Sequence, residues 1–367
     1  MKKSLIALAV AGAFAAPAFA ASSNVDVYGT LRYSLDHNDV SGGSTNWMVK
    51  DQTSRVGLKG SEDLGGGLKA VWQIEQGIAS TSTPTVSGGA FGDAGLRNTF
   101  VGLAGGFGTV LIGRHDTPYK LGGSADLFVD TSADAQANGA AGIIGRNGFD
   151  NRVAGTVAYV SPEFSGFHFA AAIVPGEGTA GAANGLIDAY SLVGVYANGP
   201  LKATLGYENF DKELGSIAAV TASAGPDGFD LTADDVVAAP AVAGANDKHA
   251  VKFNIAYKIG DIGLGYTYER SKDGFTAANS DTAHLASVSY GMGPITLMGQ
   301  YGKFNNKEAN VAAAGAQNDE TRWTVGAGYA LSKRTNVYAA YNTVDQKNTG
   351  AQTADVDTWT LGMNHSF

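Results

Sequence analysis

Residues 357–367 read DTWTLGMNHSF. Counting back in twos from Phe367 puts His365, Met363, Leu361 and Trp359 on one face. Ser366, Asn364, Gly362, Thr360 and Thr358 take the other. Successive strand side chains point to opposite faces. This is therefore a strand with one apolar face, closed by an aromatic, and one polar face. A soluble sheet buries such a face against a helix. Here lipid is expected to cover it, with the strand closing a barrel against a matching strand near the N-terminus.

The same alternation returns along the chain in segments of about ten residues, the length a tilted strand needs to cross a bilayer. Val25, Val27, Leu31, Tyr33 and Leu35 alternate with Asp26, Thr30, Arg32, Ser34 and Asp36. Leu68, Ala70, Trp72 and Ile74 alternate with Lys69, Gln73 and Glu75. Val251, Phe253, Ile255 and Tyr257 alternate with Lys252, Asn254 and Lys258. Between such segments lie two kinds of connection in strict turn. The tight ones fall at 63–66, 105–107, 161–165, 198–200, 260–261, 291–294 and 331–334, rich in residues that tolerate turn dihedrals. The long polar ones fall near 37–53, 79–96, 116–150, 175–185, 211–248, 271–281, 305–319 and 344–355. Seven short turns alternating with eight long loops predict sixteen antiparallel strands, with both termini on the short-turn side. A transmembrane β-barrel sorts its loops this way, with short periplasmic turns and long external loops. Pairing every strand leaves no backbone group to lipid.

Lys2 and Lys3, the apolar run Leu5–Phe14 and Ala18-Phe19-Ala20 read as a cleaved signal peptide over residues 1–20. That leaves 21–367 as one barrel domain. Beyond it no apolar run approaches the ~18 residues of a membrane helix. The formal net charge is −9, and −11 without Lys2 and Lys3, which argues against nucleic acid as a partner. There are no cysteines, so an exported chain of this size is held by its backbone pairing and packing rather than by disulfides.

Several stretches resemble the general porins of Gram-negative bacteria, in the branch found in β-proteobacteria and Neisseria. They are VDVYGTLRYSLD at 25–36, SRVGLKGSEDLGGGLKAVWQIEQG at 54–77, NTFVGLAGGFGTVLIGRHDTPYK at 98–120, DNRVAGTVAYVSPEFSG at 150–166 and NHSF at 364–367. The resemblance runs in order over the whole mature chain. It implies a sixteen-stranded outer-membrane barrel that forms homotrimers. The third external loop would fold into the lumen, and ions and small hydrophilic solutes would diffuse through. It also implies a ladder of arginines opposite that loop, matched here by Arg55, Arg114 and Arg152, and a terminal Phe367 read by the barrel-assembly machinery. The strand Trp359, Leu361, Met363, His365, Phe367 would then face lipid or a neighbouring subunit.

Alternation independently puts Arg32, Arg55, Lys69, Arg152, Lys252 and Arg322 on the polar rows. Counted strictly, it puts Arg114 with Val110 and Ile112 on the outer row, so its inward placement rests on the resemblance alone. The third loop carries Asp126, Asp130 and Asp134, candidates to face the arginines and set a transverse field. Its SADLFVD at 124–130 replaces the PEFGG-type tip of related porins, which leaves open which aspartate faces the pore. No catalytic constellation stands out: the six histidines are scattered, and HExxH and GxSxG are absent. No cofactor or metal is implied. Asp227, Asp230, Asp234 and Asp235 lack calcium-loop order and read as solvated, with divalent bridging to lipopolysaccharide as the other use. Two alternatives share the fold: a solute-selective channel for phosphate or an organic acid, and a surface structural barrel or adhesin with a closed lumen.

Overall fold

The computed structural model describes residues 24–78, 95–136, 142–176, 185–211, 247–272, 280–306, 319–348, 351–352 and 355–367. The proposed signal peptide, the aspartates at 227–235 and most of the expected long loops lie outside them.

The described residues form one antiparallel sheet closed on itself. In chain order its segments are β1 (Asn24–Val40), β2 (Thr45–Asp51), β3 (Arg55–Gly65), β4 (Leu68–Gly77), β5 (Leu96–Gly105), β6 (Gly108–Asp116), β7 (Arg152–Val160), β8 (Phe167–Val174) and β9 (Ala189–Asn198). Then come β10 (Leu201–Phe210), β11 (Lys248–Ile259), β12 (Ile262–Lys272), β13 (Asp281–Met292), β14 (Ile295–Asn305), β15 (Asp319–Ala330), β16 (Thr335–Asn348), β17 (Ala351–Gln352) and β18 (Val356–Ser366). They make sixteen barrel strands. β2 and β3 are two halves of one strand, pairing with the outer and inner halves of β1. The two-residue β17 only prolongs the hairpin from β16. The turns fall where the sequence put them, but two long connections are shorter than expected. β1 runs to Val40 and β2 starts at Thr45, so hairpin pairing occupies most of 37–53. β16 likewise runs to Asn348.

Closure uses the stretch at 357–367. β1 and β18 pair from Val40↔Val356 to Thr30↔Ser366. Beyond this, Gly29 and Phe367 exchange both backbone hydrogen bonds at 3.1 Å. The Phe367 ring lies over Gly29: a Cβ there would sit 2.4 Å from the ring. The outer row of β18 is exposed at Trp359, Leu361 and Met363, while Thr358 and Thr360 on the opposite row are buried.

Outer rows are apolar throughout, for example Leu264, Val288, Leu297, Val325 and Leu361. Exposed Leu and Val in such numbers would be costly in water and are favourable in hydrocarbon. Trp323 and Tyr329 bracket the apolar stretch of the outer row of β15, as interfacial aromatics do. The inner row is less uniformly polar than alternation predicts. Ala250, Ala283, Leu285, Phe304 and Ala340 are buried there because the segment between β6 and β7 packs on them.

Candidate functional site

That segment is anchored to the inner row at many points. Thr117 begins a short helical turn, Pro118–Leu121, whose Lys120 N–H donates to the Thr117 hydroxyl. The Tyr119 N–H donates to Ser191 Oγ on β9 at 2.9 Å, and the Tyr119 hydroxyl donates to Glu269 on β12 at 2.8 Å. Further on, the Ala125 N–H donates to Thr267 Oγ1 on β12 at 2.7 Å, and the Leu127 N–H to Gln300 on β14 at 3.0 Å. Buried ion pairs add Arg146 with Glu320 and Lys252 with Asp150. The Arg146 guanidinium stacks 4.4 Å over the Phe304 ring. Inward glycines make room for the segment. A Cβ on Gly302 would meet Ile143 at 2.7 Å, and one on Gly326 would meet Phe128 at 2.7 Å.

The segment's tip reaches the opposite side of the sheet. Asp130 takes both Arg32, at 2.6 Å, and Arg55, at 3.3 Å, on one carboxylate oxygen. Ser132 donates to Asp36 on β1, and Gln52 Nε2 donates to Ser132 Oγ at 2.6 Å. Arg55 owes its inward direction to the break between β2 and β3. Alternation carried on from Trp47 and Val49 would turn it outward, but Thr53 at φ 61° resets the phase.

Asp126 and Asp134 do other work. Asp126 accepts the Phe128 and Ala135 amides at 2.8 and 2.7 Å. Asp134 accepts the Asp130 and Gln136 amides, each at 2.7 Å. These two carboxyls fold the tip, and Asp130 alone of the three brings its carboxylate to arginine, Arg322 reaching only the backbone carbonyl of Asp134. Burial, and then the Asp126 carboxylate beside it, push the Asp134 carboxyl well above the ordinary range.

A second cluster adjoins the first. Arg152 donates to Asn98 Oδ1 at 2.7 Å and pairs with Asp116 at 3.0 Å. Arg97 pairs with Glu75 at 2.5 Å, and Glu75 also accepts the Tyr28 hydroxyl at 2.9 Å. Arg97 is close enough to repel both Arg32 and Arg152, which links the clusters. Sequence reasoning misses Arg97, because alternation from Thr99 and Val101 puts it outside. The register shifts opposite Glu75, between Ile74 and Gln76, and this bulge turns both Arg97 and Asn98 inward. The only local hint is two adjacent polar residues at a strand start.

Arg114 is not drawn in. It pairs across from Thr99 in the row of Val101 and Ile112, and it makes no ion pair among the described residues. Of the expected ladder, Arg55 and Arg152 are thus brought to the inner face, joined by Arg32 from the polar row of β1, with Arg97 between them.

A closed sheet with an apolar outer row and a charged, part-exposed inner row is a membrane pore of the outer-membrane type. A family model described as Gram-negative porin matches residues 7–349. The major outer membrane protein P.IB of Neisseria gonorrhoeae is 30% identical over 357 residues, covering 92% of this chain and 91% of that one. The P.IB protein of Neisseria lactamica is 29% identical across the full length of both. Among solved structures, an anion-selective porin from Comamonas acidovorans matches with a TM-score of 0.69 at 23% identity, over 94% of this chain and all of that one. A trimer form of OmpT from Vibrio cholerae gives 0.62 at 18% identity, over 94% and 99%. The chain belongs to the Gram-negative porin family. It is an outer-membrane channel for passive diffusion of ions and small hydrophilic solutes, and not an enzyme.

Proposed function

We propose that diffusion is controlled where Asp130 faces Arg32, Arg55, Arg97 and Arg152, and that this constriction prefers anions. The supporting observation is the local charge. Five cations (Arg32, Arg55, Arg97, Arg152 and Lys120) pair with three carboxylates (Asp130, Glu75 and Asp116), and Asp36, which accepts from Ser132 at the tip, is a fourth. The excess of one positive charge is local, so the negative net charge of the whole chain, screened within about 10 Å, does not decide selectivity. Arg32, Arg55 and Arg97 each keep 21–22% of their side chain exposed, so they remain available to a passing ion. The Comamonas porin, described as anion-selective, has the same fold.

The working unit is a homotrimer in contact with outer-membrane lipid and lipopolysaccharide, delivered by a signal peptide over residues 1–20 and inserted by the barrel-assembly machinery. Family membership and the trimer form of OmpT support the assembly.

Reversal potential across a planar bilayer under a salt gradient tests the constriction. A unit charge about 7 Å from an ion in water is worth about 0.6 kcal/mol, near RT. Arg55→Ala or Arg97→Ala should therefore lower anion permeability and raise cation permeability about 2- to 3-fold each, so that their ratio falls about 5- to 10-fold, and the double variant should lower it further. A ratio unchanged in the double variant refutes a basic constriction there.

A further inference from the structure

The lipid-facing rows change character at their external ends. Over β11–β14 they become cationic. Arg270 and Lys272 follow Tyr268 on the outer row of β12, and Lys303 follows Tyr301 on that of β14. His249 lies across from Lys272, while His284 lies across from Tyr268 on one side and Lys303 on the other. Arg270 and Lys303 are exposed, and none of Arg270, Lys272 and Lys303 joins an ion pair among the described residues. By register Lys303 is level with Tyr268, and Arg270 and Lys272 lie two and four residues further along β12. Strand spacing of about 4.8 Å and a rise of about 3.4 Å per residue put the Lys303 backbone about 12 Å from Arg270 and about 17 Å from Lys272, a span that long side chains at the upper edge of an aromatic belt close on one headgroup. That depth is where the apolar core gives way to headgroups.

The neighbouring arc has the opposite sign. Asp319 on β15, Asp345 on β16, Asp357 on β18 and Asp39 on β1 occupy the same outer rows at the same end. Among the described residues only Asp345 joins an ion pair there, with Lys347 at 3.2 Å, and Lys347 also lies across from Asp319. A lipid-exposed rim split into a cationic and an acidic arc is not a uniform interfacial band. It discriminates between anionic headgroups by position.

We propose that the outer face over β11–β14 binds a phosphate-bearing glycolipid of the outer leaflet. Arg270, Lys272 and Lys303 hold its phosphates, His249 and His284 flank them, and its acyl chains lie along Tyr268, Tyr301 and the apolar rows below. Lysine and arginine at headgroup depth recognise phosphate by charge-assisted hydrogen bonds. The occupant follows from the side of the membrane: these residues lie at the long-loop end, which faces the external leaflet. The inference deepens the lipid contact proposed above and is independent of the constriction.

The test is native mass spectrometry of the full chain, refolded in glycolipid-free detergent and titrated with bisphosphorylated lipid A. The wild type should retain the lipid. Arg270→Gln/Lys272→Gln/Lys303→Gln should lose at least about tenfold in retention, and Asp319→Asn/Asp345→Asn/Asp357→Asn should not. Lipid A stripped of phosphate should bind the wild type as weakly as intact lipid A binds the triple cation variant. Equal retention by that variant, or by the dephosphorylated lipid, overturns the proposal. Phosphatidylglycerol retained as well as lipid A, with the same loss in the variant, overturns the glycolipid assignment. Single-channel conductance in phosphatidylcholine bilayers, expected to be unchanged, reports an intact pore separately. Should the triple variant fail to insert, Lys303→Gln and Arg270→Gln alone carry the same reading, each expected to lose about threefold.

Discussion

At the scale of single residues, position in the hydrogen-bond network separates carboxyls that look alike in sequence. Asp126, Asp130 and Asp134 lie four residues apart on one segment, yet only Asp130 spends its carboxylate on arginine. Asp134 is held above the ordinary carboxylate value by burial and by Asp126. Its folded form thus binds a proton more tightly than the unfolded chain, whose aspartates titrate near about 3.9. The stabilisation is complete below that value and is lost as pH rises toward and through the folded value. Opening of residues 126–136 should therefore rise about tenfold per pH unit in that window, once intrinsic exchange rates are divided out of a hydrogen-exchange measurement. Asp134→Asn should flatten the dependence. It also forfeits one of two amide hydrogen bonds, about 1 kcal/mol, so the variant should open more readily than wild type at pH 5. A slope that persists in the variant removes Asp134 as its source.

At the scale of elements, the segment between β6 and β7 keeps its course because the wall is shaped to receive it. Gly302 on β14 shows the fit most cleanly, since the three atoms nearest an added Cβ all belong to the Ile143 side chain. Overpacking of this kind costs about 1–3 kcal/mol. Gly302→Val should raise hydrogen exchange over 142–146 by about tenfold or more and broaden single-channel conductance, while leaving heat resistance of the barrel intact. Gly299 is the control, because it lies on the outer row with its nearest atom, from Val288, at 3.8 Å. Gly299→Val adds a β-branched side chain to the lipid face and should leave exchange over 142–146 unchanged. Equal effects of the two substitutions would show that the glycines matter to the strand and not to the seat.

At the scale of the whole molecule, strand count and the places of the short turns are legible because they rest on periodicity and turn chemistry, which the chain states locally. The outer row of β18 and the inward Arg32 and Arg152 follow from counting in twos, and Arg55 does so only when the count starts afresh after Thr53. Arg97 did not, since it turns inward through a bulge whose cause is the register of a partner strand. Nor did the apolar inner residues Leu285 and Phe304, whose burial depends on a segment well over a hundred residues away. Closure belongs to the legible part. The chain's last residue completes the ladder by pairing both ways with Gly29 and covering it with its ring. Deleting Phe367 removes two backbone hydrogen bonds, about 1 kcal/mol each, and bares an edge that lipid cannot satisfy. The Thr30↔Ser366 to Val40↔Val356 pairing survives the deletion, so a refolded barrel should still form. On the proposed reading of this strand by the assembly machinery, assembly in cells should in addition fail with the aromatic. Heat-shift gels separate the two effects. The deletion should lower assembled oligomer in outer-membrane fractions several-fold while refolding in detergent stays within about twofold of wild type. Equal losses in both settings would assign Phe367 to closure alone, and no loss in either would leave the terminal residue without the role its position implies.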